Sequence, residues 1–183
     1  MDHFVIISGC SGGGKSTLLA ELQRRGYTVI EEPGRRVIHQ EMIAEGQATP
    51  WADMASFLHR LISVAQNDHA SAPRQSSDWV FFDRSLIDAT SALQILTNEP
   101  SLTELVQQYA YHHRVFMTPP WPEIYVQDVE RRHGLDAAVT EFERLLRVYP
   151  SLGYAVSLLP KVSVTERADF VLSTLESNRN APV

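Results

Sequence analysis

The stretch "GCSGGGKST", residues 9–17, decides the fold that this sequence predicts. It fits the pattern G-x-x-x-x-G-K-[ST], whose glycines let the backbone curl until successive N–H groups point at phosphate oxygens. The apolar run "FVIIS" precedes it, and "STLLAELQRRG" follows with leucines on one helical face. A flexible Gly/Ser loop is the alternative, but a strand before the glycines and a helix after them favour a phosphate-binding loop.

We expect this whole stretch to bind the phosphates of a nucleotide. Lys15 can reach the β- and γ-phosphates as an exposed clamp, and the Ser16 hydroxyl can bind Mg²⁺. Cys10 is expected to be a small filler residue without a redox role. The predicted nucleotide-binding residues are Gly9, Cys10, Ser11, Gly12, Gly13, Gly14, Lys15, Ser16 and Thr17.

Composition excludes several classes of protein. The formal net charge of −6 leaves no basic footprint for nucleic acid, and a single cysteine excludes an intramolecular disulfide. No apolar run approaches the ~20 residues that a membrane span needs, and the chain begins with a strand rather than a signal peptide. We therefore expect a cytoplasmic protein with no membrane or nucleic-acid partner, and we leave homo-oligomerisation open.

Strand-like and helix-like segments alternate along the 183 residues. The strands are predicted at "HFVIIS", "YTVIEE", "WVFFD", "RVFM" and "GYAVSLL". The first four lack polar alternation, which is typical of strands buried on both faces of a parallel sheet. The pattern predicts an α/β three-layer sandwich with a five-stranded, mainly parallel sheet, and ligands at the carboxyl ends of its strands.

The predicted boundaries are coarse. We expect one domain over residues 1–175, a lid region at about 119–136, and a flexible C-terminal tail at 176–183. Thr49 and Pro50 predict the start of a helix, as N-cap and first helical residue.

Charged residues follow the second and third strands. "VIEEPGRR" places Glu31 and Glu32 at one strand end, and "VFFDRS" places Asp83 and Arg84 at the other. An aspartate that ends a buried strand can hold Mg²⁺ opposite Ser16, although a salt-bridging or capping carboxylate is the alternative. Ser85 has capping-box spacing to the aspartate three residues later, which predicts a structural role.

Arginine is the expected source of charge for a transition state, because the chain has only two lysines, Lys15 and Lys161. Arg131 and Arg132 follow the proline-rich "TPPWPEIY", and a mobile segment there could close over the phosphates and exclude water. Surface ion pairs with nearby carboxylates are the alternative interpretation. "GRR", "DRS" and "TER", the last containing Arg167, hold further arginines.

The order of motifs along the chain resembles the small-molecule kinase branch of phosphate-loop NTPases, such as deoxyribonucleoside and thymidylate kinases. The motifs are the glycine loop, then "EEP", then "DRS", then an arginine pair before a helix. Over nearly the whole chain the sequence resembles a family of small bacterial predicted ATPases related to the kinase domain that phosphorylates nicotinamide riboside. "PPWPEIY..D.ERR", "LGY.V..LP" and "R..FVL" carry that resemblance. The chain lacks the extended arginine-rich lid of deoxyribonucleoside kinases.

The resemblance implies catalytic roles. Glu32 would be the base for the acceptor hydroxyl, Arg84 would steady the acceptor or the transferred phosphate, and Arg131 and Arg132 would be lid arginines. Together with Lys15, these residues predict an ATP- and Mg²⁺-dependent kinase that transfers the γ-phosphate to a small nucleoside- or nucleotide-like acceptor. The alternative is a regulatory ATPase whose nucleotide state controls a protein partner. Four aromatic residues could flank an aromatic acceptor, although core packing is the commoner role: Trp51, Phe57, Trp121 and Tyr125.

Overall fold

Five strands form a single sheet in the computed structural model, which describes residues 3–74, 78–98, 104–105, 108–125 and 134–179. The strand order is β2-β3-β1-β4-β5, and all four neighbouring pairs are parallel. The strands are β1 (Phe4–Gly9), β2 (Thr28–Ile30), β3 (Val80–Asp83), β4 (Arg114–Thr118) and β5 (Ala155–Leu158). The predicted five-stranded parallel sheet is confirmed.

Helices lie in the connections between these strands and after the last one. They are α1 (Lys15–Arg24), α2 (Pro33–Ile43), α3 (Met54–Ser71), α4 (Leu86–Thr97), α5 (Leu135–Ser151) and α6 (Val164–Arg179), with a short 3₁₀ helix at Pro122–Ile124. Within the described ranges, none of these helices combines the length and the apolarity of a membrane span.

The alternation of side chains along β1 divides the core into two layers, as the pleat of a strand requires. Phe4 and Ile6 pack on one face with residues of α4 and α5. Val5 and Ile7 pack on the other face with residues of α1 and α6. Helices α2, α3 and α4 share a third apolar cluster. The predicted three-layer α/β sandwich is confirmed.

The order of the strands determines which edge of the sheet can bind a ligand. In this order, the connection after β1 runs to β2 on one side and the connection after β4 runs to β5 on the other, and ligands bind at such a switch point. Ile7 of β1 is level with Asp83 of β3, and Gly9 is level with Thr118 of β4. The glycine loop, Asp83 and Thr118 therefore share one edge of the sheet.

The helix predicted to begin at Thr49 begins later. Helix α3 starts at Met54, and its N-cap is Asp53, whose carboxylate accepts a hydrogen bond from the Ser56 N–H at 3.0 Å. The Thr49 carbonyl instead accepts the N–H groups of Ala52 and Asp53, which closes a separate turn before the helix. The predicted cap was wrong because a better carboxylate cap follows four residues later.

The predicted C-terminal tail begins too early. Helix α6 continues to Arg179, so residues 176–179 are helical rather than part of a tail. No glycine or proline interrupts this stretch, and the Ser177 hydroxyl donates a hydrogen bond to the Ser173 carbonyl at 2.8 Å. Residues 180–183 lie outside the described residues, as do residues 126–133 of the predicted lid region with Arg131 and Arg132.

Candidate functional site

The loop between β1 and α1 is a tight curl that the end of β4 braces. The Cys10 N–H donates to the Thr118 carbonyl at 2.9 Å, and the Thr118 hydroxyl donates to the Cys10 carbonyl at 3.2 Å. Gly9 has a φ of +109°, and a Cβ there would lie 2.5 Å from the Thr118 carbonyl oxygen. Only glycine fits this position. The buried Cys10 side chain fills space beneath the loop, as expected.

Lys15, the first residue of α1, is buried at 7% exposure, so the prediction of an exposed clamp was wrong. The loop wraps around its side chain, and Nζ donates to the Cys10 carbonyl at 3.5 Å. Burial lowers the pKa of Lys15 and the charge of Arg84 lowers it further, whereas Asp83 acts in the opposite direction. The ammonium therefore lies inside the curl, where it faces the loop's own cavity.

A cavity of about 370 Å³ opens over this loop, and we call it the phosphate cavity. Ser16 and Thr17 line one side, and they are exposed. An apolar corner lies at the other side, formed by Trp121, Ile124, Val162 and Val164.

A larger cavity of about 630 Å³ lies beside it, between α2, α3, α4 and α5, and we call it the helical cavity. Its apolar wall includes Met54, Phe57, Leu58, Leu61 and Ala92. Glu32 and Arg84 line both cavities, so they stand at the boundary between the two.

The four aromatic residues considered as flanking an acceptor lie in different parts of the structure. Phe57 lines the helical cavity, Trp121 lines the phosphate cavity, and Trp51 is about half exposed and lines neither. The ring of Tyr125 lies against Gly12. Only Phe57 is placed as the aromatic hypothesis requires.

Asp83 ends β3 as a buried carboxylate, and burial raises its pKa to about 6, although the charges of Lys15 and Arg84 act against that rise. Its Oδ1 atom is buried and has no hydrogen-bond partner. Such an oxygen, together with the Ser16 hydroxyl, is a hard donor of the kind that Mg²⁺ prefers. Within the described ranges no group of three His, Cys, Asp or Glu side chains could hold a metal alone. Phosphates and water would have to complete the coordination.

Arg84 joins the carboxylates at the boundary. Its φ of +66° is uncommon for a residue with a side chain and costs conformational energy, which is typical of functional positions. Nε lies 3.2 Å from Glu32 Oε1, and Nη1 lies 2.7 Å from Glu141 Oε1. Burial alone would lower the pKa of Arg84, but the carboxylates of Glu141, Glu32 and Asp88 raise it well above its ordinary value.

Glu32 is the N-cap residue of α2, yet its side chain makes no cap hydrogen bond. About 30% of the side chain is exposed, and Arg84 is its near partner, with Arg35 at 4.0 Å. Glu31 is exposed and lines neither cavity. The structure therefore brings Glu32, rather than Glu31, to the boundary.

Asp88 is a buried carboxylate that contacts both Arg84 and the start of α4. The predicted capping box is confirmed, because Ser85 N–H donates to Asp88 Oδ2 at 3.1 Å and Ile87 N–H donates to Ser85 Oγ at 3.0 Å. The Asp88 carboxylate also accepts hydrogen bonds from Ser8 and Tyr149. Burial raises the pKa of Asp88, but Arg84 and these hydrogen bonds outweigh it and lower the pKa overall.

Sequence reasoning missed three contributions: Glu141, Arg144 and the ion pair that Asp88 makes with Arg84 in addition to its part in the capping box. Arg84 and Asp88 lie four residues apart, and Glu141 and Arg144 lie three apart on one helix, which are spacings that allow contact. Those spacings were a usable signal. Nothing in the local sequence indicated that α5 would place Glu141 against Arg84.

Comparison with known proteins identifies the family. No curated protein matches the chain by sequence. The profile of a family described as "AAA domain" matches residues 4–167. The chain belongs to this AAA-domain family. The match covers the phosphate loop, both strand ends and the start of α6.

Solved structures with similar folds include two kinases and the NadR protein. This AAA-domain protein superposes on deoxyadenosine kinase from M. mycoides with bound dATP, with a TM-score of 0.63, 14% identity, and coverage of 95% of this chain and 99% of that one. The NadR protein in complex with NR gives a TM-score of 0.71 and 18% identity, over 100% of this chain and 53% of that one. Shikimate kinase from Acinetobacter baumannii in complex with shikimate gives 0.60 and 13%, over 97% and 95%. These similarities confirm the predicted kinase-like P-loop fold.

Proposed function

We propose that this protein is an ATP-dependent phosphotransferase that transfers the γ-phosphate to a hydroxyl group of a small acceptor. One observation carries the proposal: two cavities meet at Glu32 and Arg84. Hydrolysis of ATP needs a cavity over the phosphate loop only. A second, larger cavity that shares two charged side chains with the first suits a kinase, which must hold an acceptor beside the nucleotide. The kinase folds of the similar structures support this choice.

The phosphate cavity would bind ATP. The N–H groups of the glycine loop would surround the phosphates, and the buried Lys15 ammonium would supply positive charge where negative charge develops in the transition state. Ser16 and Asp83 would hold Mg²⁺, which fits the unpartnered Asp83 Oδ1. When bound, the ion would neutralise charge on the phosphate oxygens.

Glu32 would be the general base. Its carboxylate lies at the boundary and is partly exposed, so it can accept a proton from an acceptor hydroxyl in the helical cavity. Arg84 holds this carboxylate through its Nε, while Glu141 and Asp88 fix the other side of the guanidinium. The same guanidinium lies where the phosphoryl group would cross from one cavity to the other, and its charge would stabilise that group.

The charges of the helical cavity restrict the acceptor. Among the described lining residues, three carboxylates (Glu32, Asp88, Glu141) face two arginines. Arg84 is engaged by all three carboxylates, and Arg144 donates to Ser91 and to the Asp88 carbonyl. These residues carry one more negative than positive charge, and neither guanidinium is without an acceptor, so a phosphate or carboxylate on the acceptor would be repelled. The acceptor is therefore an uncharged or cationic hydroxyl compound whose apolar part packs on the Phe57 wall.

The test is a screen for stimulated ADP release. Nucleosides, NR, nucleoside monophosphates and shikimate would be added one at a time to the protein with ATP and Mg²⁺. We expect strong stimulation by an uncharged or cationic compound and none by shikimate or a monophosphate. If ADP release stays slow with every metabolite and responds only to a protein, the regulatory ATPase replaces this proposal.

A further inference from the structure

The side chain of Arg167 reaches the phosphate loop from the last helix. Arg167 lies in the first turn of α6, which the Ser163–Glu166 hydrogen bonds fix, with the Ser163 N–H to Glu166 Oε2 distance at 3.1 Å. Its Nη2 donates to the Gly14 carbonyl at 2.8 Å. Gly14 has a φ of +80°, and a Cβ there would lie 2.6 Å from Arg167 Nη1. The guanidinium therefore lies directly against the end of the loop, and it lines the phosphate cavity.

The charge of Arg167 has no carboxylate partner among the described residues. Its contacts are the Gly14 carbonyl and the ring of Trp121, whose centroid lies 5.7 Å from the guanidinium carbon. The residue is only 3% exposed, and its Nε is buried with no hydrogen-bond acceptor. The contrast with Arg84 is sharp, because Arg84 faces three carboxylates.

A buried cation without a counter-charge is unfavourable in the unliganded protein. Burial lowers the pKa of Arg167, which expresses the same cost. If Arg167 served only to donate a hydrogen bond to the Gly14 carbonyl, an uncharged donor would be enough. The full positive charge is explained if an anion enters the cavity and pairs with it. The only cavity that Arg167 lines among those described is the one over the phosphate loop.

We propose that Arg167 is a nucleotide-binding residue whose guanidinium pairs with the polyphosphate chain of the nucleotide, while Trp121 keeps it oriented through a cation–π contact. This inference rests on the proposed binding of ATP, and it adds a cation supplied by α6 to the Lys15 ammonium. The guanidinium of Arg167 is held in place by Gly14 and Trp121 before the nucleotide binds.

The experiment compares three forms of the full chain: the parent, Arg167→Gln and Arg167→Met. Glutamine can still donate a hydrogen bond to the Gly14 carbonyl but carries no charge. This variant therefore distinguishes a structural role, the hydrogen bond to Gly14, from a role in binding an anion. Affinities for ATP and for inorganic tripolyphosphate are measured by calorimetry with and without Mg²⁺, and unfolding temperatures are measured without ligand. Arg25→Met is the matched control, because Arg25 joins α1 to Asp169 of α6 at 2.6 Å without lining either cavity.

We expect both Arg167 variants to bind ATP and tripolyphosphate about tenfold to hundredfold more weakly than the parent. Their unfolding temperatures without ligand should equal or exceed the parent value, because a buried unpaired charge is gone. Arg25→Met should show the reverse, with a lower unfolding temperature and unchanged affinities.

The inference is overturned if Arg167→Gln binds ATP and tripolyphosphate as tightly as the parent, since Arg167 would then serve only to hydrogen-bond the Gly14 carbonyl. Arg167→Gln also keeps the test decisive if Arg167→Met does not fold. If the parent itself binds neither compound, the proposed nucleotide binding fails first and this inference fails with it, which is a distinguishable result.

Discussion

The two cavities that meet at Glu32 and Arg84 are built differently. The phosphate cavity is made largely of backbone, with the glycine loop braced by Thr118, and its cations are held close to it. The helical cavity is made of side chains from α2, α3, α4 and α5, and its arginines are engaged by carboxylates or by other acceptors. In the proposed function, the first binds the polyphosphate chain of the nucleotide and the second selects an acceptor by its shape and charge. That proposal separates the chemistry common to kinases from the choice of acceptor in space.

The largest expected effect lies at the boundary. Glu32→Gln keeps the shape of the side chain but removes its basicity, so acceptor-dependent ADP release should fall by about 10²–10⁴-fold. ATP affinity and slow acceptor-free hydrolysis should stay near the parent values, because the phosphate cavity is intact. Glu31→Gln is the control, since Glu31 is exposed and lines neither cavity. Equal rates for the Glu32 variant and the parent would remove Glu32 from the mechanism.

Lys15→Met tests the phosphate cavity alone. Methionine is an unbranched side chain one atom shorter than lysine, so it fills most of the buried space and the fold should persist while the charge near the phosphates is lost. Turnover with and without acceptor should fall together by about 10²–10³-fold. Lys161→Met, at an exposed lysine, should leave both rates unchanged. A loss of acceptor-dependent turnover alone would contradict the separation of the two cavities.

Asp83→Asn tests the metal assignment in the phosphate cavity. The amide has no charge to offer Mg²⁺, so the Mg²⁺ concentration for half-maximal activity should rise by about tenfold, while nucleotide binding without metal changes little. Asp169→Asn changes an exposed carboxylate that pairs with Arg25, and it should leave the Mg²⁺ titration unchanged. A superimposable titration for Asp83→Asn would show that this carboxylate does not hold the ion.

Ala92→Phe tests the helical cavity alone, and the expected effect is the smallest. The larger side chain narrows the wall that α4 contributes, so KM for the acceptor should rise by about tenfold while ATP affinity stays unchanged. Ala20→Phe, on the exposed face of α1, controls for an added aromatic side chain. Weaker ATP binding by Ala92→Phe would mean that the two cavities are not independent.

The phosphate cavity comes largely from contiguous sequence and the helical cavity from four separate helices, so the sequence predicted the first better than the second. The strands and the glycine loop are contiguous patterns, and the structure reproduces them. Asp83 and Arg84 follow directly from the end of a strand, so their position at the functional edge was predictable as well. Local rules also identified the Ser85 capping box.

Contacts made by packing were not predictable. Glu141 meets Arg84 only because α5 crosses the sheet beside α4, and Arg167 meets Gly14 across 153 positions of sequence. Lys15 was expected to be exposed because its pattern describes the loop and not how the loop folds around the side chain. The helical cavity as a whole depends on four helices, so its shape and charge required the structure.

The most direct test of the central claim follows the γ-phosphate itself. The parent protein would be mixed with Mg²⁺, an acceptor from the screen, and ATP radiolabelled at the γ-position, in a single turnover with enzyme in excess. We expect the label to appear in a phosphate ester of the acceptor, at a rate that exceeds its release as inorganic phosphate. Label that appears only as inorganic phosphate, whatever the acceptor, would contradict the proposed phosphotransferase activity.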